Sequence, residues 1–522
     1  MKIVVATTAL AIAIAAAVVG AAGRARAAGT PTLRLGYYED IQSPDPDVQY
    51  DIPGLELVNN VYEGLVRYPY GNSTKILPWL ATSWKISPNK TVYTFTLRRG
   101  VRFHDGTTFD AAAMKFDIQR RIALKQGSSY QVADIKSVSA PRPTLLVVRL
   151  KHPTSAFLDY MASPYSVKAI SPTAIRKHQK GKDWGMKWLN THDAGTGPYK
   201  ISHFVYGQEY DLTRWNKWWG SPKPYYGTAQ FILIPNSGTQ VLKLKAGDLD
   251  ILHQQPTTTL DSFKKQKAYQ VKVFPQMLKT WIHVNPNKGP FAHLAVRQAL
   301  AGAINKQQLV KTFFGAYGTV STQFYPAGQL PPSMAQDNAP YDPSKLKSAV
   351  SKLPSSARSA QLVYLSGHGA DIQRIASAIQ TELSAAGLHV TVREITVSEL
   401  FSYPSKNPKT VPDLFVGSEN PDSASPDTWA RPYTSHKAGL NYLAGDLPAA
   451  DKEMNIGLRA TTNPAELAAY AKAGDLLVKN GTFVTIADVN DTFLARAGIS
   501  GWKHQIECTT CISLASLRGP AH

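Results

Sequence analysis

The stretch Ile372-Gln373-Arg374-Ile375-Ala376-Ser377-Ala378-Ile379-Gln380-Thr381-Glu382-Leu383-Ser384-Ala385-Ala386-Gly387-Leu388-His389-Val390-Thr391-Val392 sets the fold class. Ile372, Ile375, Ala376, Ile379 and Leu383 recur at helical spacing and give one apolar stripe. Gly387 ends the helix, because glycine adopts the left-handed cap conformation without a Cβ clash. Leu388 to Val392 then alternates apolar and polar, which is the period of a strand. Helix, glycine stop and strand in that order mark an α/β layer. Val296, Ala299, Leu300, Ala303 and Ile304 form a second stripe of the same kind.

Strand and hairpin signals surround this core. Thr32 to Tyr37 reads as a strand. So does Thr91 to Leu97, with Tyr93, Phe95 and Leu97 on one face and Ser87 to Lys90 as the preceding turn. Asp110 is placed to cap a helix running through Arg121. Pro198–Phe204 and Glu209–Arg214 flank Gly207 as a hairpin. Ala327 to Ser359 is rich in Pro, Ser and Lys and is expected on the surface.

The chain has 522 residues, of which 43% are hydrophobic and 18% charged, enough apolar material for a large core. Lys2, the uncharged run Ile3 to Gly23 and Ala25-Arg26-Ala27 form the pattern of a secretory signal peptide, so residues 1–27 are expected to be removed and the body exported. No cysteine lies beside that cleavage point to carry a lipid anchor. The 57 Lys and Arg against 37 Asp and Glu give a formal charge of +20, but the basic residues are scattered. They imply a solvated surface rather than a nucleic-acid patch.

Catalytic signatures are missing. There is no His-Glu-x-x-His, no phosphate loop ending in Lys-Ser/Thr, and no Gly-x-Ser-x-Gly. Gly195-Thr196-Gly197 leads through Pro198 into a strand, where no helix N-terminus can hold a phosphate. His104-Asp105 could form an acid–base pair, although a hydrogen-bonded turn histidine is the commoner arrangement. The only cysteines, Cys508 and Cys511, lie outside a thioredoxin-like context. In an oxidising compartment they are expected to form a local disulfide. A metal site built from His504, Cys508 and Cys511 is the alternative. An exported α/β protein without catalytic apparatus points to binding.

Several ordered segments resemble the extracellular solute-binding proteins of family 5, the receptors of peptide- and nickel-type ABC importers. They are Val61-Tyr62-Glu63-Gly64-Leu65-Val66-Arg67-Tyr68, Leu77 to Trp84, and Tyr93 to Gly106 with its Arg98-Arg99-Gly100 and Phe103-His104-Asp105-Gly106 turns. Gly195-Thr196-Gly197-Pro198-Tyr199, Trp215 to Gly220, Leu244 to Asp250, Val296 to Leu300 and Tyr341-Asp342-Pro343 follow in order. Asn305 stands where the family usually has Asp, and Ser425-Pro426-Asp427 replaces a common Asp-Pro pair.

The resemblance implies an α/β fold of the type II periplasmic-binding-protein kind, with two lobes, a hinge and an extra small domain. It implies a discontinuous lobe I from 28–58, 184–278 and 487–522, an accessory domain over 59–183, and lobe II over 279–486. It further implies a monomeric periplasmic receptor without enzyme activity, cofactor or resident metal. Such a receptor passes peptides or related amino compounds to ABC permease subunits. Nickel chelates, opines or sugars on the same scaffold are the alternatives, with an exported enzyme or a sensor behind them. The family pattern sets Asp422 in the place that pairs with a ligand ammonium, and Arg374 where dipeptide receptors hold a carboxylate. Tyr38, Trp281 and Trp429 are expected on the pocket wall, with Asn285 as a donor to a ligand carbonyl.

Overall fold

A computed structural model describes residues 30–365 and 371–520. The expected signal peptide, residues 1–27, lies outside the described residues. Among the described residues no helix is long and apolar enough to cross a membrane.

One eleven-stranded sheet runs through the body. From one edge its order is His389–Ile395, Ser359–Leu365, Leu414–Glu419, Tyr269–Val284, Phe483–Arg496, Ile251–His253, Thr32–Tyr37, Thr228–Leu233, Glu209–Arg214 and Tyr199–Val205, with Gly318–Val320 paired to Phe483–Arg496 off that path. The first three strands are parallel. Helix Ile372–Ala385 makes the crossover between Ser359–Leu365 and His389–Ile395 and buries Ile372, Ile375, Ala376, Ile379 and Leu383. Gly387 follows at φ +94°, in the left-handed region that a glycine tolerates. This stripe joins Ile282, Leu362, Leu414 and Val416 in one apolar core.

The other half of the sheet has its own core around Leu33, Leu35, Tyr199, Leu212 and Phe231. Thr32–Tyr37 is parallel to both of its neighbours, and the hairpin Tyr199–Val205 with Glu209–Arg214 closes that edge.

Two long antiparallel strands, Tyr269–Val284 and Phe483–Arg496, belong to both halves. Their register breaks between Phe274 and Leu278, which pair with Asp491 and Val489. Pro275, Gln276 and Met277 therefore face Asn490 alone. Pro275 has no N–H to give to a ladder, and bulges of this kind bend a strand and re-aim its side chains.

A separate antiparallel sheet orders Ala81–Ile86, Val92–Leu97, Leu145–Leu150 and Ile135–Arg142. Helix Ala111–Leu124 covers it, its first turn capped by Asp110, whose Oδ1 accepts from Ala113 N at 2.8 Å. Tyr93, Phe95 and Leu97 turn inward against Met114 and Ile118. Arg120 and Arg121 at the far end of that helix are fully buried and pair with Asp45 and Asp47 at 2.5–2.6 Å. Removing one partner from such a dry network leaves an uncompensated charge, which costs several kcal/mol. This network fixes the small sheet to the segment that leads to Tyr50 and Asp51.

The stretch from Ala327 to Ser359 is largely exposed, as expected, but is pinned by a minority of buried residues. Leu330, Ala335, Leu346 and Val350 are buried. The Gln329 amide donates to Ser423 and Ser425 carbonyls, both at 2.9 Å. The Asp337 carboxylate accepts from Thr485 N at 2.9 Å. Average composition masked a few anchors that hold an otherwise polar segment.

Candidate binding site

The two halves of the large sheet bound a cavity of about 870 Å³. That is near the upper end of the roughly 300–1,000 Å³ typical of small-molecule sites. Part of its lining comes from residues at or just beyond the carboxyl ends of parallel strands, where open α/β sheets leave crevices. Tyr38, Glu39 and Asp40 follow Thr32–Tyr37, Gln254 and Gln255 follow Ile251–His253, Leu365 ends Ser359–Leu365, and Ser418, Glu419 and Asn420 end Leu414–Glu419. Ile372 and Ile375 enter from the crossover helix, Phe313 and Phe314 from the segment before Gly318, and Val397, Ser398 and Phe401 from the helix Val397–Ser402.

Asp422 is a buried lining residue. Its Oδ2 accepts the Tyr50 hydroxyl at 2.9 Å and the Tyr130 hydroxyl at 2.6 Å. Its carbonyl accepts the Ser163 hydroxyl. Burial pushes the Asp422 carboxyl up to about 6, while the tyrosine hydroxyls and the Arg121 charge pull against it. Glu39 is pushed up to about 7, first by burial and then by the charges of Asp51 and Asp40. Asp51 rises to about 6 by burial, although Gly54 N at 2.6 Å and Gln42 N at 3.0 Å donate to it. Glu419 accepts from Trp281 Nε1 at 2.6 Å and lies 3.2 Å from His283 Nε2.

The sequence-expected residues therefore separate. Tyr38 and Asp422 line the cavity together. Arg374 does not: its guanidinium is 2.7 Å from Asp371, 5.1 Å from the centre of the Phe313 ring, and 62% exposed. Trp281 is wholly buried mid-strand, 4.3 Å from the Trp429 ring centre and 4.8 Å from Phe483. Its expected place on the wall is corrected to a supporting one, because its indole N–H holds the lining carboxylate Glu419. Trp429 is likewise core, its indole donating to the Phe324 carbonyl at 3.0 Å. Asn285 spends its amide on the carbonyls of Pro408 and Pro412 at 2.8 and 3.0 Å, so it braces a loop and offers no donor to a ligand.

Sequence reasoning missed Glu39, Asp40, Asp51, Gln255, Gln276 and Glu419. The pair Glu39-Asp40 could have been found from its place directly after a strand. Gln276 could not, since only the register break turns it inward.

His104 pairs with Asp193 rather than Asp105, and its Nε2 lies 3.0 Å from the Gly197 carbonyl oxygen. It thus ties two turns together instead of forming an acid–base pair with its neighbour. Cys508 and Cys511 are joined as a disulfide, packed against Leu55 and Tyr165. His504 Nε2 lies 2.8 Å from Asp491 Oδ2. Among the described residues, no three His, Cys, Asp or Glu side chains converge as metal ligands.

The family model of bacterial extracellular solute-binding proteins, family 5 Middle, matches residues 75–441. A curated relative, the "Probable D,D-dipeptide-binding periplasmic protein" of Escherichia coli (strain K12), is 25% identical over 90% of this chain and 91% of its own. The glutathione-binding protein of Salmonella paratyphi A is 28% identical over 67% of this chain and 66% of its own. A dipeptide-binding protein from Pseudoalteromonas sp. SM9913, solved with Met-Leu, superposes with a TM-score of 0.82 at 18% identity, covering 94% of this chain and all of that one. This chain's fold is thus that of the type II periplasmic binding proteins.

Proposed function

The chain belongs to the bacterial extracellular solute-binding proteins of family 5, and on that premise we propose that it is a periplasmic receptor. In this reading it captures short peptides or related amino compounds and releases them unchanged to an ABC permease. The observation that carries the reading is the cavity of about 870 Å³ held between two halves of one sheet and lined by carboxylates, of which Glu419 and Asp422 are buried. Receptors of this kind work because the ligand stabilises the closed form more than the open one. The two strands that cross between the halves, broken in register at Pro275–Met277, are the natural hinge.

The domain plan follows: lobe I from 28–58, 184–278 and 487–522, the accessory domain over 59–183, and lobe II over 279–486. The chain acts as a monomer without enzyme activity. Peptide backbones bind along the strand ends, and an ammonium pairs with Asp422. An ionised carboxylate has about four lone-pair sites, so two tyrosine hydroxyls leave room for it. Arg374 stays outside this scheme, and Trp281, Trp429 and Asn285 act by holding the walls.

The test is small-angle scattering and calorimetric melting of the exported chain with a panel of short peptides. A true ligand makes the particle more compact and raises the melting temperature by mass action. In Asp422→Asn, binding of an amine-bearing peptide is expected to weaken by about tenfold, or about 1.4 kcal/mol. Recovery of the peptide in cleaved form, or unchanged affinity in that variant, refutes the corresponding part.

A further inference from the structure

The cavity inverts the charge of the protein that encloses it. The whole chain carries +20. Yet the described lining residues include Glu39, Asp40, Asp51, Asp371, Glu419 and Asp422 and not one Lys, Arg or His. The Arg374 guanidinium is committed to Asp371 and faces solvent, and that of Arg121, whose charge reaches Asp422, is buried against Asp47 outside the lining. An acid-lined cleft with low-dielectric walls concentrates a field that attracts cations.

A second feature is independent of the charges. Gln276 lines the cavity and is 8% exposed, yet neither its amide nitrogen nor its amide oxygen has a hydrogen-bond partner. Gln255, 6% exposed, leaves its amide oxygen unpartnered there as well. A buried amide left unpaired keeps its full desolvation penalty, which a hydrogen-bonding ligand would relieve. Its donor and acceptor together match a peptide-type amide on a ligand. Tyr38, Phe401 and Tyr442 add aromatic surface to the lining, and ring faces attract ammonium and guanidinium groups.

Resting on the receptor reading above, we infer that this cavity selects net-cationic amide ligands, such as short basic peptides with a blocked carboxyl end, and discriminates against ligands that end in a free carboxylate. A free carboxylate would enter a closing, dehydrating space in which no described lining side chain can neutralise it. Like charges held in such a space repel strongly. An ammonium there relieves the crowding of Glu39, Asp51 and Asp40 instead.

Isothermal titration of the exported chain with three probes tests this: lysyl-phenylalanine amide, lysyl-phenylalanine with its free carboxylate, and glutathione. The amide is expected to bind about tenfold or more tightly than the free acid, and glutathione to give no heat. Equal or tighter binding of the free acid or glutathione overturns the inference. If scattering shows compaction with those acids, the receptor reading survives its loss. If none of the three probes binds or compacts the protein, both fall. The variant Ser398→Arg places a cation at an exposed lining position. It is expected to shrink the preference for the amide toward equality, and an unchanged ratio means that a missing counter-charge is not the cause.

Discussion

The cavity wall from the N-terminal half of the sheet brings three carboxylates close together on one loop. The wall from the helix Ile372–Ala385 and its neighbours is built largely of hydrocarbon. Glu39, Asp40 and Asp51 crowd one side, while Phe313, Phe314, Ile372, Ile375, Val397 and Phe401 furnish the other. The apolar wall is continuous with the large core, since Phe313, Ile372 and Ile375 belong to the same buried cluster as Leu346 and Leu383. The acidic wall is a loop between a strand end and a helix cap. One side is therefore stabilised by the fold and the other is strained by it. Closure over a ligand needs both: the first supplies apolar burial, the second supplies a charge that an empty cavity leaves poorly compensated.

The largest effect should come from damaging the apolar wall. Phe313→Ala removes a ring that is only 7% exposed, and such truncations cost about 3–5 kcal/mol. Chemical denaturation should show that loss, with the preference for cationic over anionic ligands intact. If the variant is as stable as the parent, the wall is not part of the core and the contrast fails.

Glu39→Gln attacks the other side and should have effects of opposite sign. Affinity for an amine-bearing ligand should fall by about tenfold in titration calorimetry. The empty protein should become more heat-stable near neutral pH, because a repelled, poorly solvated carboxylate is gone. A parallel loss of affinity and stability would refute the charge-crowding account.

Acidity sharpens the same point. The carboxyls of Glu39, Asp51 and Asp422 stand above their ordinary range, at about 7, 6 and 6. Groups raised on folding contribute stability that is fully present below their unfolded values and lost as pH rises through their folded ones. Glu39 faces Asp51 and Asp40; Asp51 faces Asp40, the Gly54 and Gln42 N–H groups and Gln49; Asp422 faces Tyr50, Tyr130 and Arg121. Their part of the empty protein's stability should thus fall between about pH 4 and pH 7. An amine ligand restores it, so the ligand-induced rise in melting temperature should be larger at the upper end. A shift that shrinks with rising pH would contradict this.

The smallest expected change is Tyr130→Phe. It removes one of two hydroxyls from Asp422 and should cost about 1 kcal/mol in denaturation. Because that hydroxyl stabilises the ionised form, the Asp422 carboxyl should titrate still higher, which NMR of the side-chain carbon reports.

The sequence by itself determined the layers and their order. The stripe on Ile372–Leu383, the stop at Gly387 and the alternation at Tyr93, Phe95 and Leu97 are local patterns of burial and backbone geometry, so they survive without a partner in view. Asp422 and Tyr38 were legible as residues that line the cavity for a similar reason: one stands in a recognisable motif and the other follows a strand. Tertiary structure alone decided that Trp281, Trp429 and Asn285 brace the site from behind. A side chain's direction along a strand depends on register, and a buried amide or indole goes wherever a carbonyl or carboxylate awaits it. Only the fold could bring Tyr50, Tyr130 and Asp422 together from three distant segments, or turn Gln276 into the cavity through a slip of register. The sign of the cavity's charge is likewise a property of proximity, which a count of basic and acidic residues along the chain does not contain.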